Sequence, residues 1–96
     1  MSEVEWKREY HRDGTLQRET PYVNDQEHGV EKGYYSNGML EWEQSYIDGQ
    51  PHGAEKYYHN NGVLRYEALW VRGKQRNDLL GDKHRLKRLM LLGEQG

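Results

Sequence analysis

The chain has 96 residues, of which 33% are hydrophobic and 31% charged, and its formal net charge is −2. A chain of this length forms one domain with a modest core. It contains no cysteine, which excludes a disulfide framework and thiolate chemistry. We find no apolar run long enough for a transmembrane helix and no secretion signal, so we expect a cytoplasmic protein.

The charge is distributed unevenly along the chain. Residues 1–73 carry 8 Lys and Arg against 13 Asp and Glu, whereas residues 74–96 carry 6 against 3. An acidic body with a basic tail calls for separate interpretations of the two parts. Eight Tyr and three Trp supply large apolar area with polar tips, a composition that suits a thin sheet.

One sequence unit occurs three times without a gap, and its period is the step from Gly14 to Gly38 and again to Gly62. Residues of the same type recur in seven ladders: Arg8, Lys32, Lys56; Tyr10, Tyr34, Tyr58; Gly14, Gly38, Gly62; Leu16, Leu40, Leu64; Glu19, Glu43, Glu67; Tyr22, Tyr46, Trp70; and Val23, Ile47, Val71. A fixed period of this size predicts stacked supersecondary units, each too small to bury its own apolar face. The units span approximately residues 6–29, 30–53 and 54–77 of a repeat region that covers residues 1–77.

Each unit predicts one β-hairpin, because a turn dipeptide separates two stretches of strand-forming residues. The dipeptides are Asp13-Gly14, Asn37-Gly38 and Asn61-Gly62. They predict type I′ turns, in which both central residues have positive φ. The resulting register places a basic residue opposite a glutamate in every unit: Arg8–Glu19, Lys32–Glu43 and Lys56–Glu67. Facing opposite charges stabilise a strand pair by roughly 0.2–1 kcal/mol.

Strand alternation predicts which side chains share a face. One face collects the leucine ladder, the ladder of Tyr22, Tyr46 and Trp70, and the ladder of Arg18, Trp42 and Tyr66. The other face carries the ion pairs and the ladder of Tyr10, Tyr34 and Tyr58. We expect the leucine and aromatic face to be the more buried one.

The segments that join and follow the hairpins complete the predicted fold. Polar, glycine-containing connectors at residues 24–29 and 48–53 predict that consecutive hairpins pair into a six-stranded antiparallel meander. Residues 78–96 predict a short basic amphipathic α-helix and tail, with Asp82 at the helix start and Gly93 at its end. We expect this helix to cover the last strand, whose open edge would otherwise promote aggregation.

Residues 31–53 resemble the variant MORN repeat, with Tyr34-Tyr35, then Asn37-Gly38, then glycines in the connector. The third unit is similar, and the first is looser, with Tyr10-His11 in place of the tyrosine pair. The resemblance covers residues 6–77 and implies a ribbon of stacked β-hairpins. Bacterial proteins of this family are often described as antitoxin-like or immunity-like, and MORN repeats more widely are associated with protein scaffolding and membrane lipid contact. The resemblance assigns no catalytic residue.

We expect partner specificity at the positions where the units differ. Three ladders vary: Arg18, Trp42, Tyr66; Glu9, Gly33, Tyr57; and His11, Tyr35, His59. Exposed Trp and Tyr are preferred interface anchors. The candidate contact residues are Tyr35, Trp42, Tyr57, His59, Tyr66 and Trp70. The alternative is that these side chains fill the core of a thin sheet.

The remaining polar groups predict no metal, cofactor or catalytic site. His28 and His52 lie two strands apart in the predicted sheet, roughly 9–10 Å, which is too far for two ligands of one zinc ion. A role in the connectors is the better interpretation. The sequence contains no recognised catalytic motif, so we expect a protein that is not an enzyme.

The leading hypothesis is a non-enzymatic binder that occludes a protein partner, such as a toxin, effector or enzyme, in the manner of a bacterial or phage antitoxin, immunity protein or inhibitor. The alternative is electrostatic binding of nucleic acid or anionic membrane through Lys83, Arg85, Lys87 and Arg88. The preferred interpretation of those four residues is the solvated face of a helix, opposite its leucine stripe. A structural scaffold, or a homodimer in which the acidic body receives the basic tail, are further alternatives.

Overall fold

The computed structural model describes residues 3–80, which form one antiparallel sheet of eight strands. The strands are β1 (Glu5–Tyr10), β2 (Leu16–Val23), β3 (Gln26–Glu27), β4 (Gly29–Tyr34), β5 (Leu40–Ile47), β6 (Gln50–Tyr58), β7 (Leu64–Val71) and β8 (Lys74–Gln75), followed by a 3-10 helix at Asn77–Leu79. Chain order is also spatial order, except that β3 and β4 both pair with β2. The predicted meander is confirmed. The α-helix predicted from Asp82 to Gly93 lies outside the described residues.

The predicted number of six strands was wrong because the connectors themselves add two short strands. β3 pairs with the end of β2, and β8 pairs with the end of β7. Each of these strands has two residues and directly follows a tight turn. The third hairpin therefore ends in a short return strand rather than in an open loop.

The predicted register is confirmed at the charge pairs, but it shifts by one residue near each tip, where Tyr10 pairs with Leu16, Tyr34 with Leu40 and Tyr58 with Leu64. Arg8 faces Glu19, Lys32 faces Glu43 and Lys56 faces Glu67. Two of these pairs form ion pairs, at 3.2 Å in the first unit and 3.9 Å in the third. Such partly exposed ion pairs each stabilise the fold by only about 0.2–1 kcal/mol. Their main effect is therefore to favour this register of the strands over others.

The predicted turn type at the hairpin tips was wrong. Gly38 has a φ of 89°, but Asn37 does not have positive φ, and Gly38 N–H donates to Tyr35 O at 2.9 Å. These features define a three-residue loop with a glycine bulge. Asn37 acts through its side chain, since its Oδ1 accepts the N–H of Met39 at 2.9 Å. The same bond recurs in the other units, from Thr15 to Asp13 and from Val63 to Asn61.

Type I′ turns occur instead in the connectors. Both central residues have positive φ at Asn24-Asp25, Asp48-Gly49 and Arg72-Gly73. The twist of this turn matches the twist of the flanking strands, so it suits a tight two-residue connection. The chain therefore alternates two turn types, one inside each unit and one after each unit.

The sheet forms a single layer, with principal extents of 42 × 36 × 16 Å. Within residues 3–80, the buried hydrophobic side chains are Ala68, Leu69 and Leu79. The leucine ladder is not buried as expected, because Leu64 is 47% exposed and Leu16 and Leu40 have intermediate exposure. Single-layer packing leaves both faces partly open, and burial concentrates where β7 meets the 3-10 helix that contains Leu79.

Side-chain hydrogen bonds link each unit to the next. Tyr34 Oη donates to Glu19 Oε1 at 3.2 Å, and Tyr58 Oη donates to Glu43 Oε1 at 3.1 Å. The acceptor glutamates belong to the preceding unit in both cases. The tyrosine and glutamate ladders are therefore two parts of one structural link, which recurs with the period of the sequence.

Histidines and a tyrosine make further links of this kind. At the hairpin tips, His11 Nε2 lies 2.8 Å from Tyr34 O, and the equivalent Tyr35 Oη donates to Tyr58 O at 2.6 Å. In the connectors, two histidine Nδ1 atoms accept backbone N–H groups from the following unit: His28 from Asp48 at 3.4 Å and His52 from Arg72 at 3.0 Å. This agrees with the connector role predicted for both histidines.

Tyr34→Phe is expected to lower the free energy of unfolding by about 0.5–1.5 kcal/mol, because the hydrogen bond to Glu19 is lost. Tyr10 is the equivalent residue of the first unit, and within residues 3–80 no unit precedes it. Tyr10→Phe should therefore change the stability by less than about 0.5 kcal/mol. Urea denaturation followed by circular dichroism measures both changes. Equal losses in the two variants would contradict a stabilising link between units.

Candidate functional site

A row of six cross-strand neighbours crosses one face of the sheet at positions where the units differ. The neighbouring pairs are Glu9–Arg18, Arg18–Gly33, Gly33–Trp42, Trp42–Tyr57 and Tyr57–Tyr66. We call these six residues the variable row. The period places the same two positions of every unit on this face, so the units differ in surface here while the residues that stack them recur.

The first unit contributes the charged end of the variable row. Arg18 Nη2 lies 2.7 Å from Glu9 Oε1, and both side chains are about half exposed. The hydrogen bond with Glu9 raises the pKa of Arg18 above its usual value. An exposed pair of this kind adds little stability, so both charges remain available at the surface.

The second unit places an indole at the centre of the variable row. A Cβ on Gly33 would collide with the indole ring of Trp42, including Nε1 and Cε2. The ring therefore lies directly over the Gly33 backbone, which is buried, while Trp42 itself keeps an intermediate exposure. Glycine in a strand commonly marks such a close approach.

The third unit contributes the aromatic end of the variable row. Tyr57 and Tyr66 have ring centroids 5.9 Å apart at an interplanar angle of 62°, a T-shaped arrangement. The guanidinium of Arg65 lies 5.8 Å from the centre of the Tyr57 ring. With Glu55, these three residues line a shallow cleft of about 530 Å³. Tyr66 is 46% exposed, so the aromatic end is open to solvent.

Glu55 lies two residues before Tyr57 in β6, on the same face of the sheet, and anchors the aromatic end. Its two carboxylate oxygens accept Tyr57 Oη at 3.3 Å and Trp70 Nε1 at 3.0 Å. Burial raises the pKa of Tyr57, and the Glu55 charge raises it further. Glu55 thus holds the polar groups of both rings in place, and both side chains keep an intermediate exposure.

The structure separates the predicted contact residues into two groups. Trp42, Tyr57 and Tyr66 lie side by side in the variable row. Trp70 is joined to them through Glu55. These four aromatic residues form one continuous candidate surface.

The other predicted contact residues lie elsewhere. Tyr35 is at a hairpin tip and holds the next unit through Tyr58 O, so its hydroxyl has a structural role. His59 is the equivalent residue of the third unit and is exposed. The basic cluster of Lys83, Arg85, Lys87 and Arg88 lies outside the described residues.

Sequence reasoning missed two acidic residues that lie beside the variable row on the same face of the sheet, Glu31 and Glu55. Glu31 accepts Thr20 Oγ1 at 2.6 Å, and Glu55, the equivalent residue one unit later, holds the two aromatic rings. The signal was present, because the two glutamates are one repeat period apart and each comes shortly before a member of the variable row, Gly33 or Tyr57. The role of each glutamate depends on the residues that lie beside it on neighbouring strands, and the recurrence of one residue type along the sequence does not reveal those residues.

The fold and this surface define a β-hairpin repeat protein, in which constant positions stack the units and variable positions form an exposed row. Within residues 3–80, no cluster of three or more His, Asp or Glu residues is arranged to hold a metal ion. No helix in that part of the chain is long and apolar enough to cross a membrane.

Comparison with protein families identifies the repeat. The family model described as the MORN repeat variant matches residues 7–24, 27–48 and 51–71, which together make up more than half of the chain. The chain therefore belongs to the MORN repeat variant family, whose repeat is generally a module for interaction with proteins or membrane lipids. Neither the curated proteins nor the solved structures gave a match.

Gly33→Ala is expected to displace the Trp42 indole and to lower the free energy of unfolding by about 1–3 kcal/mol, the usual effect of overpacking. In a Trp42→Leu background the colliding ring is absent, so the same change should be nearly neutral. The double-mutant cycle should give a coupling free energy of about 0.5–3 kcal/mol, measured by urea denaturation. If Gly33→Ala lowered the free energy of unfolding by the same amount in the Trp42→Leu background, the result would contradict a close approach of the Trp42 indole to Gly33.

Stability is expected to fall at alkaline pH. Burial, followed by neighbouring carboxylates, raises the pKa of Tyr34, Tyr46, Tyr57 and Tyr58. A tyrosine whose pKa is higher in the folded than in the unfolded chain stabilises the fold. This stabilisation is complete at pH values below the unfolded pKa of about 10, and it is lost as the pH rises through the folded pKa. Denaturation at a series of pH values should show this loss, and Tyr34→Phe should reduce its slope. An ultraviolet titration in which all tyrosines ionise like free tyrosine would contradict it.

Proposed function

We propose that this protein is a non-enzymatic, cytoplasmic binding protein that occludes a protein partner through the aromatic end of its variable row. The observation that carries the proposal is the contiguous surface of Trp42, Tyr57 and Tyr66 on a single-layer sheet. Trp and Tyr are the residues most often found as anchors of protein interfaces. The mode of action we propose is that of an antitoxin, immunity protein or inhibitor.

The distribution of charge around this surface supports a protein partner. Glu9 and Arg18 lie at one end of the row, and Arg65 lies beside Tyr57 at the other. An aromatic centre with a charged rim is the usual anatomy of a protein interface. The net negative charge of residues 1–73 disfavours phosphate groups as the main ligand of the sheet.

The size and rigidity of the face also support occlusion. A standard interface buries about 800 Å² on each partner, and the sheet extends over 42 × 36 Å. Glu55 fixes the orientation of two aromatic side chains, and Gly33 allows the indole of Trp42 to lie against the backbone. Side chains that are already ordered lose less conformational freedom on binding, which favours affinity.

Trp42→Ala and Tyr66→Ala are expected to weaken partner binding at least about tenfold each, as interface anchors do. The experiment is affinity capture of the tagged chain from its native host, followed by titration of the captured protein against each variant. Trp6→Ala is the matched control, because Trp6 is also an exposed aromatic residue, at 46%, but lies on the opposite face. Circular dichroism confirms that each variant folds.

Two results would overturn this proposal. Full binding by both folded variants would remove the variable row from the interface. Capture of nucleic acid or anionic lipid alone, with an affinity that falls steeply with salt, would favour the basic cluster at residues 83–88 instead. Replacing its four cations, Lys83, Arg85, Lys87 and Arg88, by glutamine tests that second case directly.

A further inference from the structure

The two edges of the sheet carry the same groups that hold neighbouring units together. Inside the chain, consecutive units pair in one register, with Glu19 opposite Lys32 and Glu43 opposite Lys56. Applied once more, this register places Glu67 of β7 opposite Arg8 in β1 of a second copy. We propose that copies of this chain associate head to tail in this way, β7 of one against β1 of the next.

In this contact, the side chain of His59 would bind a backbone carbonyl of the second copy. The equivalent residues of the first two units each bind a backbone carbonyl of the following unit: His11 that of Tyr34, and Tyr35 that of Tyr58. Within residues 3–80 the third unit has no following unit, and His59 is exposed. The carbonyl that the period assigns to it is that of Tyr10 in a second copy.

The opposite edge offers the matching groups. In the second and third units, the tyrosine equivalent to Tyr10 donates its hydroxyl to a glutamate of the preceding unit. Tyr10 is 57% exposed. The period assigns its hydroxyl to Glu67 of the other copy, so Glu67 would accept a hydrogen bond from Tyr10 and also face the charge of Arg8.

The available strand segments are long enough for such a junction. All of β1 is exposed, and so are the first three residues of β7, Leu64–Tyr66. Further along β7, Leu69 already binds Arg76 N–H and the side chain of Asn77. This exposed part of β7 is short, but the junction of β2 with β4 inside the chain also has only two paired positions, Arg18–Gly33 and Glu19–Lys32.

Charge complementarity selects a second copy as the occupant of this edge. Glu67 faces Arg8, just as a glutamate faces a lysine at both internal junctions. Opposite charges in facing positions stabilise an antiparallel pair, and like charges destabilise it. Because the two edges differ, the contact is heterologous, and each added copy presents a new free edge. Association should therefore grow with concentration rather than stop at a dimer.

Sedimentation velocity of the full chain over a concentration series tests this proposal. We expect the average mass to rise above 11.5 kDa with concentration and to fall when salt is added. Glu67→Lys and Arg8→Glu should each weaken association about tenfold or more, since like charges then meet at the junction. An equimolar mixture of the two variants should regain association, because every junction again joins opposite charges.

Two control variants distinguish an effect at the contact between β7 and β1 from an effect of net charge or of folding. Glu41→Lys makes the same charge change in β5, inside the sheet, and should leave association unchanged. Tyr10→Phe keeps the fold and should weaken association several-fold by removing the hydroxyl that Glu67 would accept. Circular dichroism of each variant confirms that loss of association is not loss of folding.

The proposal is overturned if the unsubstituted chain remains monomeric up to about 1 mM, a concentration that would reveal a Kd of that order. A mixture of the two charge variants that does not regain association would overturn it as well. So would a closed dimer that survives both substitutions, which would instead favour contact between the acidic body and the basic tail. None of these results bears on partner capture through Trp42 and Tyr66.

Discussion

Each hairpin of this protein depends on the hairpins beside it, because no second layer covers the sheet within residues 3–80. An isolated two-stranded hairpin is marginally stable in water, and the buried hydrophobic residues in that part of the chain are few. The units therefore hold one another through the edges of their strands. The bonds from Tyr34 to Glu19 and from Tyr58 to Glu43 show this dependence most directly, since each joins a side chain of one unit to the unit before it.

This constraint separates structural from variable positions. Residues that stack the units must recur once in every period, and a change at one of them disturbs a junction. The variable row is free of that requirement, so its six positions hold an ion pair, an indole lying over a glycine, and a tyrosine pair. The sheet thus presents a different surface on each unit while the backbone repeats, which is the property that suits repeat proteins to binding.

The strand order and the register of the charge pairs could be predicted, whereas the turn types, and the register shift beside each turn, could not. Lys32 faces Glu43 as expected, because a fixed period and strand alternation determine which residues face each other. Asn-Gly is compatible with both a type I′ turn and a loop with a glycine bulge. The structure adopts the bulge at Gly38 because the Asn37 side chain accepts the N–H of Met39, a bond that works as well with Asp13 in the first unit.

The sequence by itself determined the repeat, the meander and the set of residues that share a row, since these depend on spacing along the chain. Only the tertiary structure decided what each member of a row does. Tyr35 is bound to the next unit while the equivalent His59 is exposed, and Leu64 is exposed although it belongs to an apolar ladder. The physical reason is that burial and hydrogen bonding depend on the neighbouring strands, and the last unit has a different neighbour from the first two.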